Sequence, residues 1–153
     1  MSYSISRVDW QLAAPLLKAI REKVFICEYR IPKKVEFDQE DANACHILIC
    51  DDISQEPIAT GRLSSSGEIS RVAVIKHYRQ QNYEYVVFNK LVKIAKELGL
   101  KEVFIFSPLS HVDYYQGHNF TPVGSVYMEA GIPRQRMTCP IENNAVAKYY
   151  LSH

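Results

Sequence analysis

The residues best placed to do chemistry begin with one continuous stretch, Ile69-Ser70-Arg71-Val72-Ala73-Val74-Ile75-Lys76-His77-Tyr78-Arg79-Gln80-Gln81-Asn82-Tyr83-Glu84. It reads as an apolar strand, a polar turn and the start of a helix. A helix N-terminus carries free backbone N–H groups and the positive end of a dipole, so this turn is suited to hold phosphate. Glu68 stands at the head of the strand. Strict alternation would put Glu68, Ser70, Val72 and Val74 on one face. A second group is the acidic loop Glu36, Asp38, Glu40 and Asp41, able to attract a cationic amine. Solvated loop charge is its ordinary alternative. A third group, Cys27, Cys45, Cys50 and Cys139, contains no C-x-x-C pair and no finger spacing. These cysteines read as free thiols without metal, and Cys45 and Cys50 fall on opposite faces of one strand. No G-x-S-x-G element or Ser-His-Asp arrangement stands out.

These groups must be positioned by a single domain. The 153 residues are 47% hydrophobic and 23% charged, which describes a globular chain with a real core. A formal net charge of +1 offers no basic excess for nucleic acid. The opening MSYSISRVDW lacks an apolar export segment, and no run approaches membrane-spanning length, so the cytoplasm is the expected compartment.

The patterning predicts a strand over Tyr3 to Val8 and then a helix with Leu17, Ile20 and Val24 on one face. Pro15 belongs in a first helical turn, and the helix should stop before Ile31-Pro32. A charged loop runs from Lys33 to Asn43. Strands follow at His46 to Cys50, Pro57 to Leu63 and Glu68 to Ile75, with a turn over Ser64 to Gly67. A helix is expected from about Gln80 to Leu98, closed by Gly99, with Val87, Leu91, Ile94 and Leu98 on one face. A buried strand at Val103 to Phe106, a short helix around Val112 to Gly117, and strands at Thr121 to Met128 and near Arg136 to Ile141 complete an α+β pattern. The expected architecture is a mixed sheet with helices packed on it.

The strand-turn-helix stretch resembles the central motif of the GNAT acetyltransferases, in which a V-A-V strand leads into R-G-x-G-x-G. Arg79 stands where the family has Arg or Gln, while Gln80, Asn82 and Glu84 stand where it has glycines. Arg21-Glu22-Lys23-Val24-Phe25-Ile26-Cys27-Glu28 resembles the R-x-x-V-F-x-x-E helix of a small bacterial branch. The run from Glu36, Asp38 and Asp41 to His46 resembles that branch's E-x-D-x-x-D-x-x-x-x-H, and Gly131-Ile132-Pro133-Arg134 to Met137 its G-I-P-H-x-x-M, with Arg134 in the histidine position. Tyr115-Gln116-Gly117-His118-Asn119-Phe120 resembles F-Y-E-K-x-G-F, with Asn119 replacing a glycine.

The resemblance implies a GNAT fold, with a central, mostly antiparallel sheet flanked by helices. It implies transfer of an acetyl group from acetyl-CoA to a small-molecule amine by direct attack. On that reading Val72, Ala73 and Val74 line the pantetheine arm, and Arg79, Gln80, Gln81, Asn82, Tyr83 and Glu84 surround the diphosphate. Glu68 is the base, Tyr115 is the acid with an ordinary pKa of about 10, and Glu36 and Asp38 receive the amine. Side chains at the former glycines, and the charge of Glu84 above all, predict weakened cofactor binding. The alternative is a degenerate GNAT domain that binds a ligand or partner without catalysis, and a related fold serves acyl-homoserine-lactone synthases. The acceptor, the acyl length and the oligomeric state, a homodimer included, stay open in the sequence.

Overall fold

Residues 2–141 are described by a computed structural model. Four antiparallel strands, β1 (Tyr3–Val8), β2 (Cys45–Asp51), β3 (Pro57–Leu63) and β4 (Ile69–Val74), lie in chain order in one sheet. Three more, β5 (Glu102–Pro108), β6 (Thr121–Glu129) and β7 (Ile132–Pro140), form a second sheet with β7 in the middle. The expected single sheet is thus split. Among the described residues, one parallel bridge, Glu68 to Phe104, joins the halves, supported by the Phe104 N–H donating to the Gly67 carbonyl at 3.0 Å.

Period-two alternation explains the layers. On β2, Ile47 and Ile49 turn to one core and Leu48 to the other. The first core is filled by α3 (Tyr83–Glu97), whose Val87, Leu91 and Ile94 meet Val103, Ile105 and Met137. The second is covered by α1 (Trp10–Arg21), through Leu17 and Ile20, and by the π-helical turns Glu22–Glu28, through Val24. Gly61 on β3 lets α3 come close, because a Cβ there would run into Val87 and Leu91.

Several local expectations are corrected. Pro15 lies inside α1 rather than in its first turn. It sits on the exposed side, where water can satisfy the carbonyl its ring leaves unpaired, while Ala13 and Leu17 bury the opposite stripe. The charged loop contains α2 (Lys33–Glu36) and a 3₁₀ turn, Gln39–Ala42, capped by Asp38. The central helix starts at Tyr83, not near Gln80. Lys76–Gln81 forms a 3₁₀ turn, and Asn82 at φ 60° breaks the helical path between them. Leu98 lies past the end of α3 and is half exposed, and Gly99 at φ 80° closes the helix as expected. A short helix, α4 (Val112–Gln116), follows β5. Cys45 packs toward the α3 core and Cys50 toward the α1 core, on opposite faces of β2.

Candidate active site

Beyond the Glu68–Phe104 bridge, β4 and β5 part, and the gap between them is a cleft of about 230 Å³. Glu68, Ile69, Ser70, Arg71 and Val72 form one wall, and Ile105 to Pro108 the other. Parting strands leave edge N–H and C=O groups without a neighbouring strand, which an amide-bearing ligand arm can pair with.

The cleft passes from one face of the sheets to the other. Ile105 and Met137 face the α3 core, so alternation turns Phe106, Pro108 and Arg134 to the opposite face. Ile69 also faces α3, which sends Glu68 and Ser70 to the face away from it. Glu84, Phe88 and Tyr115 border the cleft on the α3 side. They also border a second cavity of about 340 Å³ with Tyr85, His111 and Tyr114.

A bulge in β4 corrects the expected alternation. Thr60 pairs with Ala73 and Arg62 with Ser70, so Arg71 and Val72 together stand opposite Gly61. Arg71 takes φ 54°, the left-handed region. The extra residue reverses the parity. Val72 and Val74 turn to the α3 core while Glu68 and Ser70 stay on the other side.

Glu68 and Tyr115 therefore border one cleft from different faces. Burial, reinforced by Glu40 and Glu129 and opposed by Arg62 and Arg71, raises the Glu68 pKa. A raised carboxylate can exchange a proton nearer neutral pH. Tyr115 is pushed up to about 12 by burial first and by the charge of Glu84 second, so its hydroxyl keeps its proton at neutral pH. Its ring packs edge-on to Phe120 at 5.5 Å. Asn119 adopts φ 69°, which fits its place at a glycine position.

The turn before α3 enters the helix through a left-handed residue, Asn82. Asn82 takes φ 60° and ψ 22°, a conformation Asn tolerates better than most side chains. Gln80, Gln81, Asn82 and Glu84 are exposed, whereas the Tyr83 ring is buried against Tyr3 and Tyr78, which leaves its N–H as its contribution to the turn. Arg79 is already engaged: Nε donates to the Val74 carbonyl at 3.0 Å and Nη2 to Glu28 at 2.7 Å. It pins the loop to the end of β4, and the Val74 carbonyl is spent on it. The strand edge and the helix terminus fit an acyl-CoA in outline, with Glu84 as the discordant charge.

The acidic loop is a structural cluster, so the picture of Glu36 and Asp38 as free charge for an amine is revised. Arg21 Nε donates to Glu36 and Nη1 to Asp41, each at 2.7 Å. Arg62 Nη1 donates to Asp38 at 2.7 Å and to Asp41 at 3.0 Å. Arg71 reaches Asp38 at 3.0 Å and Glu36 at 3.4 Å. His46 closes the cluster through the Asp41 carbonyl at 2.8 Å. Glu36 reaches the cleft wall, but with its charge balanced. Burial raises the Glu36 pKa against Arg21 and Arg71. Sequence reasoning found these acids without their arginines, because the partners lie 15 to 35 residues apart. It also missed Tyr85 and Tyr114. Their signal was present in the ten tyrosines of the chain, but no spacing singled them out.

No family model matches the chain. An uncharacterized N-acetyltransferase of Bacillus subtilis, YjcF, is 25% identical over 122 residues, covering 77% of this chain and 86% of that protein. An acyl-CoA N-acyltransferase from Pseudomonas aeruginosa superposes with a TM-score of 0.76 at 23% identity, over 90% of this chain and 98% of that one. BjaI, a CoA-dependent acyl-homoserine lactone synthase solved with SAM and isopentyl-CoA, superposes at 0.78 with 13% identity, over 99% of this chain and 89% of that one. The splayed sheets, the motifs at their gap and these likenesses agree: this chain has the acyl-CoA N-acyltransferase (GNAT) fold and is similar in sequence to proteins named as N-acetyltransferases.

Proposed function

We propose that the protein transfers an acetyl group from acetyl-CoA to the amine of a small molecule, in the cytoplasm. One observation carries this reading most: β4 and β5 touch at Glu68–Phe104 and then open a cleft that reaches both faces of the sheets. The thioester supplies an activated acyl carbon and a thiolate leaving group. The open β4 edge at Val72 and Ala73 pairs with the pantetheine amides. The first amides of α3, from Tyr83 onward, face the diphosphate. On the other face Glu68 takes the proton of the attacking ammonium, directly or through a water. Tyr115, on the α3 side, gives its proton to the departing sulfur.

Glu84 favours a second reading, a GNAT domain that binds a ligand without turnover, since it sets a carboxylate beside the expected diphosphate path. Incubation with acetyl-CoA and a panel of small primary amines separates the two. Amine-dependent release of free thiol, with acetylated amine found by mass spectrometry, supports the enzyme. Thiol release no faster than hydrolysis across a broad panel supports the binding module.

A further inference from the structure

The cleft holds two arginines in different states. Arg71 is committed to the acidic cluster: Nε goes to the Glu36 carbonyl at 3.1 Å, and Nη2 to the Val35 carbonyl and Asp38, each at 3.0 Å. Arg134 is not. Its Nη1 donates to the Phe106 carbonyl at 3.1 Å. Its Nε is buried without a hydrogen-bond acceptor among the described residues. The anionic group beside it, Glu129, lies 3.9 Å away on a half-exposed side chain. Arg134 is held firmly, because its strand is the central one and pairs with Pro108 on one side and Tyr127 on the other. A guanidinium that is rigid, largely enclosed and short of acceptors is prepared for an anion from outside.

Its place fixes which anion. Arg134 lies on the face of Glu68, opposite α3, where the acceptor rather than the cofactor would enter. Phe25, Ile31, Val35 and Ile132 supply apolar wall around that part of the cleft. With Glu68 and Glu129 bordering the same space, a doubly charged phosphate would be repelled, whereas a single carboxylate matches the planar fork. We propose that the acceptor is an amine that also carries a carboxylate and an aliphatic portion, the chemistry of an apolar amino acid. Arg134 binds its carboxylate and Glu68 faces its amine.

This inference rests on the acyltransferase reading, so its test reads acceptor binding apart from turnover. Leucine and 3-methylbutylamine differ only by the carboxylate. Each is titrated calorimetrically into the full chain, with acetyl-CoA titrated separately to report on the cofactor site. Leucine is expected to bind at least tenfold tighter than the amine. Arg134→Gln should erase that difference, and Arg134→Lys, which keeps the charge but not the fork, should retain part of it. The inference is overturned if the amine binds as tightly as leucine, if neither binds, or if the preference survives in a folded Arg134→Gln protein. Those outcomes count against it even where acetyl-CoA binds normally. Failure of acetyl-CoA alone would instead count against the enzyme reading.

Discussion

Glu84 and Tyr115 border the same two cavities, and the carboxylate of one helps to keep the hydroxyl of the other protonated. This electrostatic influence joins the altered loop to the proposed acid. Neutralising Glu84 should act on both. Glu84→Gln is expected to tighten acetyl-CoA binding about fivefold, on the order of 1 kcal/mol for one charge pair near a surface. The Tyr115 pKa should also fall below its value of about 12, though burial, the larger cause, will keep it above 10. Calorimetry reads the first effect and NMR titration of the tyrosine ring the second. Unchanged values in both would separate Glu84 from the cofactor and from Tyr115.

Tyr115→Phe removes a proton donor needed only as thiolate forms. Turnover should fall about 100-fold while cofactor affinity stays nearly constant. A weakened acetyl-CoA affinity with normal kcat would make Tyr115 a packing residue.

Glu68 must be deprotonated to act as a base, so kcat/KM should decline as pH falls through its pKa. Burial raises that pKa above the ordinary glutamate value of 4.5, and the acid limb should inflect above it accordingly. Glu68→Gln should lower the rate and abolish that limb. A pH profile unchanged in the Gln variant would point to another base.

Arg21 is fully buried, and its removal takes the 2.7 Å partner from both Glu36 and Asp41, leaving each buried acid with one arginine, at 3.4 Å and 3.0 Å. Arg21→Met should destabilise the fold by about 3–5 kcal/mol, because a buried charge loses its partner. Urea unfolding measures this. A loss under 1 kcal/mol would show that the cluster relaxes into solvent.

Much of the fold was legible because it follows period and punctuation. Ile47, Leu48 and Ile49 alternate between two cores as their spacing required. Asn82 and Asn119 stand at glycine positions and adopt the left-handed conformation that Asn reaches more cheaply than most replacements. The parity of β4 was not legible. Arg71 carries no turn signature, and its left-handed backbone appears only when Thr60 and Arg62 on β3 fix the register on either side. Nor did the acids of the 36–41 segment announce their role. Whether a carboxylate meets solvent or an arginine depends on long-range packing, which no local pattern encodes. Arg134 was visible as a departure from the family's histidine, but its unused donors became apparent only once β7 placed it in the cleft.

The central claim is that the gap between β4 and β5 receives an acyl-CoA. Calorimetric titration of the full chain with acetyl-CoA tests it most directly, with a thermal-shift series beside it. Saturable binding at one molecule per chain, weaker than in relatives that keep the loop glycines and tightened by Glu84→Gln, is the predicted result. Absence of both heat and thermal shift up to millimolar acetyl-CoA would contradict it.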